Sequence, residues 1–472
     1  MKVLFTHSYF LQFDEKQVEQ GKPYPPLGTI QAASYLRENG HDVSLFDTNF
    51  VIDPLQVKEV ITDNEPGVLV IYDDGFNYLT KMCLTTMREA AFEMIKYAKT
   101  QGVHVVVSSS DSTDNYKKYL EQGADQVILG EADEVLLRLV QLLQVNADPN
   151  ELESIAYKKE SEIIKNPKGA ILRDLDKLPL PAWDLIDITP YKKAWKKHGY
   201  FSINLATTRG CPFKCNWCAK PIYGNRYNSR SPQHVVDEIK LIKTFFDFDH
   251  IWFCDDIFGI KTKWVQEFNE VLKAENLKIN YKIQSRADLL LQDNTVSALA
   301  ESGCDEVWIG AESGSQKILD AMDKGTQVYQ IAESSHLMKK YGIKPCFFLQ
   351  FGYLDEEWID IKATLDMLFT LMPHDIGVSV SYPLPETKFY EKVKSQLKEK
   401  TNWTDSDELL LMYKGTYSPQ FYKKLHRFLH KRFRQKQEAN FIKQGKLLHL
   451  IRWTYFKVVS TVFYAQLLGL KK

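Results

Sequence analysis

Three cysteines are spaced closely enough to bind one metal centre. Cys211, Cys215 and Cys218 form a C-x3-C-x2-C pattern. Structural zinc normally takes four protein ligands, and no paired spacing links the remaining cysteines, which are Cys83, Cys254, Cys304 and Cys346. A four-iron cluster also takes four ligands, so three thiolates would leave one iron open to a chelator from outside the chain. The pattern favours a [4Fe–4S] centre with an open iron over zinc or chance clustering.

The cysteines follow the first strand of a repeated strand–helix pattern. Helices such as 232–246 and 263–274 separate predicted strands at 201–206, 250–253, 281–284, 306–310, 345–351 and 376–381. Six such units are too few for a closed eight-fold barrel. We therefore expect a partial barrel over 201–390, with the metal centre after its first strand.

A second alternating pattern occupies residues 1–145. Strands such as 68–72 are rich in Val and Ile, and a helix over 27–39 is closed by Gly40. Such a pattern predicts an α/β fold with a doubly wound parallel sheet, whose ligands lie beyond the carboxyl ends of the strands. Candidate binding residues at those ends include His7, Ser8, Asp73, Ser108, Ser109, Gly130 and Glu131. A domain without a ligand is the alternative.

Two further segments complete the predicted organisation. Residues 146–200 contain five prolines and read as a linker, with a small sheet around 154–157 and 171–173. Residues 391–472 form a basic, helical C-terminal region. From 411 to 472 there are 14 Lys or Arg and one acid, Glu438, a net charge of 14 − 1 = +13, although the whole chain carries −1. Such asymmetry indicates an anionic partner.

Composition narrows the class of protein. The chain has 472 residues, 44% of them hydrophobic, so it can form real cores in two or three domains. Seven cysteines are too few for a disulfide scaffold. No signal peptide is apparent, and no stretch reaches 18 consecutive apolar residues. These features predict a reducing, cytoplasmic compartment.

The cysteine spacing after the first barrel strand resembles the radical S-adenosylmethionine (SAM) superfamily. This resemblance implies a [4Fe–4S] cluster on Cys211, Cys215 and Cys218, whose open iron is chelated by the methionyl amine and carboxylate of SAM. Reductive cleavage of SAM would give a 5′-deoxyadenosyl radical, with electrons from a donor such as flavodoxin or ferredoxin. Trp217 stands where the family places an apolar or aromatic residue beside the adenine.

The resemblance also implies further SAM contacts. Asp255 and Asp256 follow the second barrel strand, where the family binds the SAM ammonium, although a solvated turn is the alternative. Arg286 stands where a guanidinium could pair with the SAM carboxylate. Glu312, followed by Ser313, is placed like the acid that binds the ribose.

The N-terminal half resembles the cobalamin-binding domain that precedes many radical SAM barrels. The resemblance rests on the segments 24–28, 35–43, 123–131 and 174–184, and it adds Gly28 to the candidate cofactor-binding residues. The Asp-x-His-x-x-Gly motif is absent from the sequence, so binding without a histidine ligand to cobalt is expected. Serines replace the usual Gly-Gly-Pro-His segment at 108–113, which leaves a vestigial domain without cobalamin as an alternative.

These features together predict a cobalamin-dependent radical SAM enzyme that modifies an unactivated carbon of a hydrophobic or lipid-like small molecule. Methyl transfer is preferred over the oxidative cyclisation or rearrangement expected for relatives of the anaerobic magnesium-protoporphyrin monomethyl ester cyclase. The basic tail is interleaved with aromatic residues, which suits a helix at the inner face of a membrane. A helical lid on the barrel is the alternative. We expect no nucleic-acid partner, because no RNA-binding module is appended.

Overall fold

The structure, a computed structural model, describes residues 1–73, 75–76, 78–397 and 400–471. The chain divides into two compact units. The first comprises Met1–Pro212, Lys220–Ile283 and Asn402–Glu408, and the second comprises Phe213–Ala219, Gln284–Thr401 and Leu409–Lys472.

A seven-stranded sheet forms the N-terminal part of the first unit. Its strands are β1 (Lys2–Thr6), β2 (Asp42–Phe46), β3 (Val68–Tyr72), β4 (His104–Ser108), β5 (Gln126–Ile128), β6 (Ile155–Lys159) and β7 (Glu162–Lys165). The spatial order is β2-β1-β3-β4-β5-β6-β7. The pairings from β2 to β5 are parallel, and Val3, for example, stands opposite both Val43 and Val68. This arrangement confirms the predicted doubly wound parallel sheet.

Eight helices lie between or after the strands of this sheet in the described chain. They are α1 (Glu15–Gln20), α2 (Leu27–Glu38), α3 (Val57–Asn64), α4 (Tyr78–Lys81), α5 (Thr85–Thr100), α6 (Ser110–Glu121), α7 (Asp133–Gln144) and α8 (Thr189–Trp195). Helix α2 ends as predicted, because Gly40 adopts a left-handed backbone with φ +84°. The fully buried strand β3 explains the continuous apolar run at 68–72. Its side chains join a core with strands β1 and β4 and helices α2 and α7, which includes Val3, Phe5, Ala32, Leu36, Val106, Leu136 and Val140.

The linker contributes a hairpin to this sheet. Strand β6 pairs antiparallel with β5, and β7 pairs antiparallel with β6. The first strand of the predicted small sheet therefore exists, but the second lies at 162–165 and the prediction of a strand at 171–173 was wrong. The physical reason is a two-residue turn, since Lys159 stands opposite Glu162 and Glu160 has φ +54°.

The second parallel sheet has six strands in the order β15-β14-β13-β12-β11-β8. Its strands are β8 (Ser202–Leu205), β11 (His250–Phe253), β12 (Tyr281–Ser285), β13 (Cys304–Glu312), β14 (Lys344–Phe351) and β15 (Asp375–Val380), while β9 (Thr208–Arg209) and β10 (Asn228–Ser229) form a separate antiparallel pair. The six strands, each close to its predicted position, confirm the partial barrel.

Ten helices follow α8 in the described chain. Between the barrel strands lie α9 (Pro232–Phe245), α10 (Thr262–Ala274), α11 (Ala287–Leu290), α12 (Thr295–Glu301), α13 (Gln316–Ala321), α14 (Val328–Lys340) and α15 (Trp358–Leu371). After the last strand come α16 (Lys388–Val393), α17 (Pro419–Lys443) and α18 (His449–Gly469). The predicted helical C-terminal region is thus present. Within the described residues, no helix combines the length and hydropathy needed to cross a bilayer.

Candidate functional site

A glycine sets the path of the chain just before the first cysteine of the motif. Gly210 has φ +81°, and a Cβ atom at this position would collide with the carbonyl oxygen of Arg226. Only glycine combines this backbone with such a close approach. The next residue, Cys211, is half-buried. The glycine of the motif therefore has a structural purpose, which is to turn the chain toward the cysteine loop.

Arg209 is held by two buried carboxylates. Its Nη1 lies 2.6 Å from Glu131 Oε1 and 2.7 Å from Asp133 Oδ2. Its guanidinium also stacks over the Tyr223 ring, 5.1 Å from the centroid. Burial raises the pKa of Glu131 and outweighs the opposing attraction of Arg209. This ion-pair network places Glu131, a predicted cofactor-binding residue, against the strand that leads into the cysteine motif.

Asp255 anchors the same segment from another side. Its carboxylate is fully buried and accepts four hydrogen bonds, two from backbone N–H groups and two from hydroxyls of Thr207 and Thr208. Burial raises its pKa to about 6 despite these bonds. Both oxygens of Asp255 are thus engaged in positioning the chain ahead of Cys211. The neighbouring Asp256 forms an ion pair with Lys81.

In the second unit, one buried amide fixes the turn between the other two cysteines. Asn216 donates from Nδ2 to the Ala321 carbonyl oxygen at 2.7 Å and accepts from the Tyr353 hydroxyl at 2.7 Å. The turn itself is closed by the Cys218 N–H, which donates to the Cys215 carbonyl oxygen at 3.3 Å. Cys215 and Cys218 are both half-buried. The hydrogen bonds of Asn216 fix the backbone between them.

Trp217 carries an unsatisfied donor in this turn. Its Nε1 is buried and has no hydrogen-bond partner among the residues that the structure describes. A buried N–H without an acceptor is costly, and a bound ligand or water is one way to satisfy it. The indole therefore fits the predicted position beside a bound cofactor.

Arg286 is oriented by three neighbours of the second unit. Its Nε donates to Asp288 Oδ1 at 2.9 Å and its Nη1 donates to the Lys324 carbonyl oxygen at 2.8 Å. The guanidinium stacks on the Phe213 ring, 3.8 Å from the centroid. Phe213 belongs to the cysteine motif, so the guanidinium lies against that loop. Asp288 already binds the edge of the Arg286 guanidinium that was expected to face a SAM carboxylate.

Glu312 forms a buried ion pair with a lysine that the sequence analysis missed. Lys324 Nζ lies 2.8 Å from Glu312 Oε1, and both side chains are buried. Burial lowers the pKa of Lys324, but the charges of Glu312 and Cys215 outweigh it and raise that pKa overall. Glu312 has φ +56°, an uncommon backbone for a residue other than glycine. The signal for Lys324 is weak, because only a Lys-Gly pair after helix α13 distinguishes it in the sequence.

Ser313 has a supporting contact in the turn after β13. Its hydroxyl lies 3.1 Å from Thr364 Oγ1 and accepts from the Ser315 N–H at 3.1 Å. The serine therefore shapes the turn that carries Glu312.

At the N-terminal sheet, the structure brings the predicted residues to the carboxyl ends of the strands. Asp73 accepts from the Ser8 N–H and hydroxyl at 2.6 and 2.7 Å. Ser109 caps helix α6 by accepting from the Ser112 N–H at 2.7 Å, so its hydroxyl is engaged. The hydroxyl of Ser110, by contrast, is buried and has no hydrogen-bond partner in the described part of the chain. Strands β1 and β3 are the point where the strand order reverses, which is the usual ligand crevice of such sheets.

The remaining candidate cofactor-binding residues of this sheet are Gly28, Ser108 and Gly130. Gly28 lies in the first turn of helix α2, and Ser108 ends strand β4. Gly130 has φ +90°, and its N–H donates to Thr113 Oγ1 at 3.3 Å. Each of the three is buried.

The cysteine segments have the chemistry that an iron–sulfur cluster needs. None of the seven cysteines, all within the described residues, is in a disulfide. Among the described side chains, no group of three or more His, Cys, Asp or Glu residues is already arranged as a metal site. The prediction of a cluster on Cys211, Cys215 and Cys218 is carried by their spacing. The unpartnered Trp217 nitrogen and the rigid turn around Asn216 fit it.

Comparison with known proteins agrees with this chemistry. Residues 205–368 match the family model of the radical SAM superfamily. The chain is 25% identical to an uncharacterized methyltransferase of Pyrococcus horikoshii over 81% of this chain and 82% of that protein. It is also 26% identical to the anaerobic magnesium-protoporphyrin IX monomethyl ester cyclase of Rubrivivax gelatinosus, over 83% of this chain and 70% of that one.

Among solved structures, the fold is similar to that of the cobalamin-dependent SAM radical enzyme OxsB with aqua-cobalamin bound. The TM-score is 0.75 at 18% identity, and the alignment covers 98% of this chain and 72% of OxsB. A radical SAM domain implies a [4Fe–4S] cluster and SAM as cofactors. The match over residues 205–368 shows a radical SAM domain in this chain, and together with the two relatives it shows that the chain is an enzyme.

Proposed function

We propose that this enzyme uses cobalamin together with SAM to transfer a methyl group to an unactivated carbon of a hydrophobic small molecule. The observation that carries the proposal is the strand order β2-β1-β3-β4-β5 of the N-terminal sheet, in the same chain as the radical SAM domain. This order leaves a ligand crevice between the carboxyl ends of β1 and β3. The fold similarity to OxsB with aqua-cobalamin supports cobalamin as the ligand.

The barrel residues would hold the first pair of cofactors. We assign the cluster to Cys211, Cys215 and Cys218, and the adenine side of SAM to Trp217. When bound, the cluster and SAM supply the 5′-deoxyadenosyl radical. Glu312, paired with Lys324 through one oxygen, offers its second carboxylate oxygen to a ribose hydroxyl. Asp255 and Arg286 have strong contacts within the chain, so they act by positioning the loop around SAM.

The corrinoid would lie at the carboxyl edge of the N-terminal sheet. Ser8 and Asp73 line the crevice between β1 and β3, and the buried, unpartnered hydroxyl of Ser110 stands after β4. Amide side chains of a corrinoid offer both donors and acceptors to such groups. The His7 ring is engaged by Asp47, with Nε2 2.9 Å from Asp47 Oδ1, and we propose that cobalamin binds without a histidine ligand to cobalt.

The substrate class rests on the relatives and on the C-terminal region. One relative is named for a reaction on a magnesium-porphyrin ester, a large and mainly apolar ring. Helix α18 exposes a row of apolar side chains, which suits an enzyme that works at the inner face of a membrane on a lipid-like substrate. We propose a small acidic electron carrier, flavodoxin or ferredoxin, as the reductant.

Reconstitution under anaerobic conditions tests the SAM chemistry. With SAM and dithionite, the wild-type enzyme should release 5′-deoxyadenosine, and Cys215→Ala should abolish this product. Cys304→Ala is the matched control, because Cys304 is buried in strand β13 outside the motif and should leave the product largely unchanged. Release by the Cys215→Ala variant at the wild-type rate would contradict the cluster assignment.

Cobalamin is tested separately. After incubation with hydroxocobalamin and desalting, one corrinoid per chain is expected from the absorption spectrum. A protein whose spectrum shows no corrinoid bands but that still forms 5′-deoxyadenosine would show that the N-terminal domain is vestigial. Mass spectrometry of lipid and pigment extracts, from cells with and without the gene, then distinguishes a product that gains a methyl group from one that gains a ring.

A further inference from the structure

The C-terminal helix α18 exposes an apolar stripe to solvent. Leu447, just before the helix, and Ile451, Tyr455, Val458 and Val462 follow one another at intervals of three or four residues, so they lie on one side of the helix. Their exposed fractions are 71, 80, 55, 58 and 50%. Nine of the 18 large apolar side chains exposed in the described chain lie between 447 and 468. Exposed apolar clusters of this kind mark interaction surfaces.

The opposite side of α18 is already in use. It packs on α17, where the Phe428 and Tyr464 rings lie 5.1 Å apart and Lys424 stands 5.4 Å from the Phe463 ring centroid. Ser460 and Leu467 are buried on this side. Because α17 holds one face of the helix, the apolar stripe is presented outward in a fixed orientation.

Basic residues flank the stripe. At about 100° per residue, Arg452 and Lys457 fall on either side of Ile451 around the helix. Their long aliphatic stems can run along apolar surface while the charges stay in a polar layer. Between 439 and 471 there is no Asp or Glu, and the one nearby acid, Glu438, is paired with His449 and Arg452.

We propose that the α18 stripe docks the enzyme on an anionic membrane surface, with helix α18 lying in the plane of the interface. A second copy of this chain fits poorly, because two such helices would bring like charges together with no carboxylate between them. An anionic lipid surface satisfies both the apolar stripe and the flanking cations. No described helix is long and apolar enough to span, which agrees with a helix that lies on the surface.

Vesicle flotation tests this surface. The reconstituted enzyme should float with vesicles that contain 30% phosphatidylglycerol and should stay at the bottom with pure phosphatidylcholine or in 0.5 M NaCl. The double variant Ile451→Glu, Val458→Glu should bind the anionic vesicles at least tenfold more weakly. Ile359→Glu is the matched control, because Ile359 is a 70% exposed residue of helix α15 outside the stripe, and it should bind like wild type.

Hydrogen exchange on the wild-type enzyme tests the same surface without a variant that could misfold. In the wild-type enzyme, hydrogen exchange at 449–469 should slow when anionic vesicles are added, and it should not slow with neutral ones. The proposal is overturned if wild type stays at the bottom, if the double variant floats like wild type, or if neutral vesicles bind equally well. It is also overturned if the enzyme is a dimer that the double variant dissociates. Formation of 5′-deoxyadenosine without vesicles tests the proposed activity independently.

Discussion

Tyr353 and Asn216 are joined by a hydrogen bond of 2.7 Å that ties the turn after strand β14 to the cysteine motif. The phenol also lies 3.0 Å from the Ala321 carbonyl oxygen, which accepts from Asn216 as well. These three residues therefore form one network in the second unit, in which Tyr353 and Asn216 are buried. The backbone between Cys215 and Cys218 depends on it.

Tyr353→Phe removes this hydroxyl and leaves the Asn216 oxygen without its donor. We expect a loss of about 1–2 kcal/mol in the free energy of unfolding. Because the cysteine turn is loosened, iron should be lost faster to a chelator than from wild type, as followed by absorbance at constant temperature. Tyr329→Phe, at an exposed tyrosine of helix α14, is the control and should change neither quantity. Equal iron loss from both variants would contradict the role of the network.

Lys324→Met should disturb SAM binding through Glu312. The substitution leaves a buried carboxylate without its cation, and breaking a buried pair from one side costs roughly 3–5 kcal/mol. Without its cation, the Glu312 carboxylate loses the contact that holds it in place as the proposed acceptor for a ribose hydroxyl. We expect the SAM concentration for half-maximal 5′-deoxyadenosine formation to rise at least tenfold, with a smaller change in Lys324→Arg. An unchanged SAM requirement in Lys324→Met would exclude this role for Glu312.

The buried carboxyl group of Glu356 should make the stability of the folded chain depend on pH. Its side chain is fully buried and accepts from the Gly352 N–H at 2.7 Å, while its other oxygen has no hydrogen-bond partner among the described residues. Burial raises its pKa to about 8. The folded chain therefore holds a proton that the unfolded chain releases near its ordinary pKa of 4.5, so this group makes the folded state less stable as pH rises from 4.5 to 8.

Glu356→Gln mimics the protonated acid and should remove this dependence. The urea midpoint of wild type should fall between pH 6 and pH 8, and the fall should be smaller in the variant. Asp360→Asn, at a nearby carboxyl group whose pKa is lowered, serves as the comparison and should not flatten the profile. Parallel pH profiles for wild type and Glu356→Gln would show that Glu356 is ionised at neutral pH.

Arg209→Ala should be strongly destabilising. It leaves the buried carboxylates of Glu131 and Asp133 facing each other without a cation, for which a cost of about 3–5 kcal/mol is typical. The expected result is a lower melting temperature and a reduced iron content after reconstitution. Arg209→Lys keeps the charge but not the contact with both Glu131 and Asp133. Its melting temperature should therefore lie between those of wild type and Arg209→Ala. A wild-type melting temperature for Arg209→Ala would refute this account.

Much of the fold could be predicted from the sequence because its signals are local. Strand β3 is a buried run of five apolar residues, and strand β11 was predicted at its observed bounds. The hairpin of β6 and β7 could not be placed as well, because its partner strand β5 is distant in sequence and β7 contains only two apolar residues.

The candidate site was less accessible to sequence reasoning. The motif identified the cysteines, but the hydrogen bonds to Asp255 and the ion pair at Lys324 depend on residues 47 and 12 positions away. Neither carries a local signal, since an aspartate after a strand and a lysine after a helix are common. Spacing revealed the groups that would bind the metal, and the structure was needed to find the groups that hold them in place.

The hairpin that follows helix α7 has a practical consequence for dissection of the chain. A fragment cut at residue 145 would lack β6, the strand that pairs with β5 through Gln126 and Tyr157. The open edge of β5 would then be available to other molecules, and such fragments tend to aggregate. A fragment that extends past Pro167 keeps the hairpin, so it is the better choice for studying corrinoid uptake by this half alone.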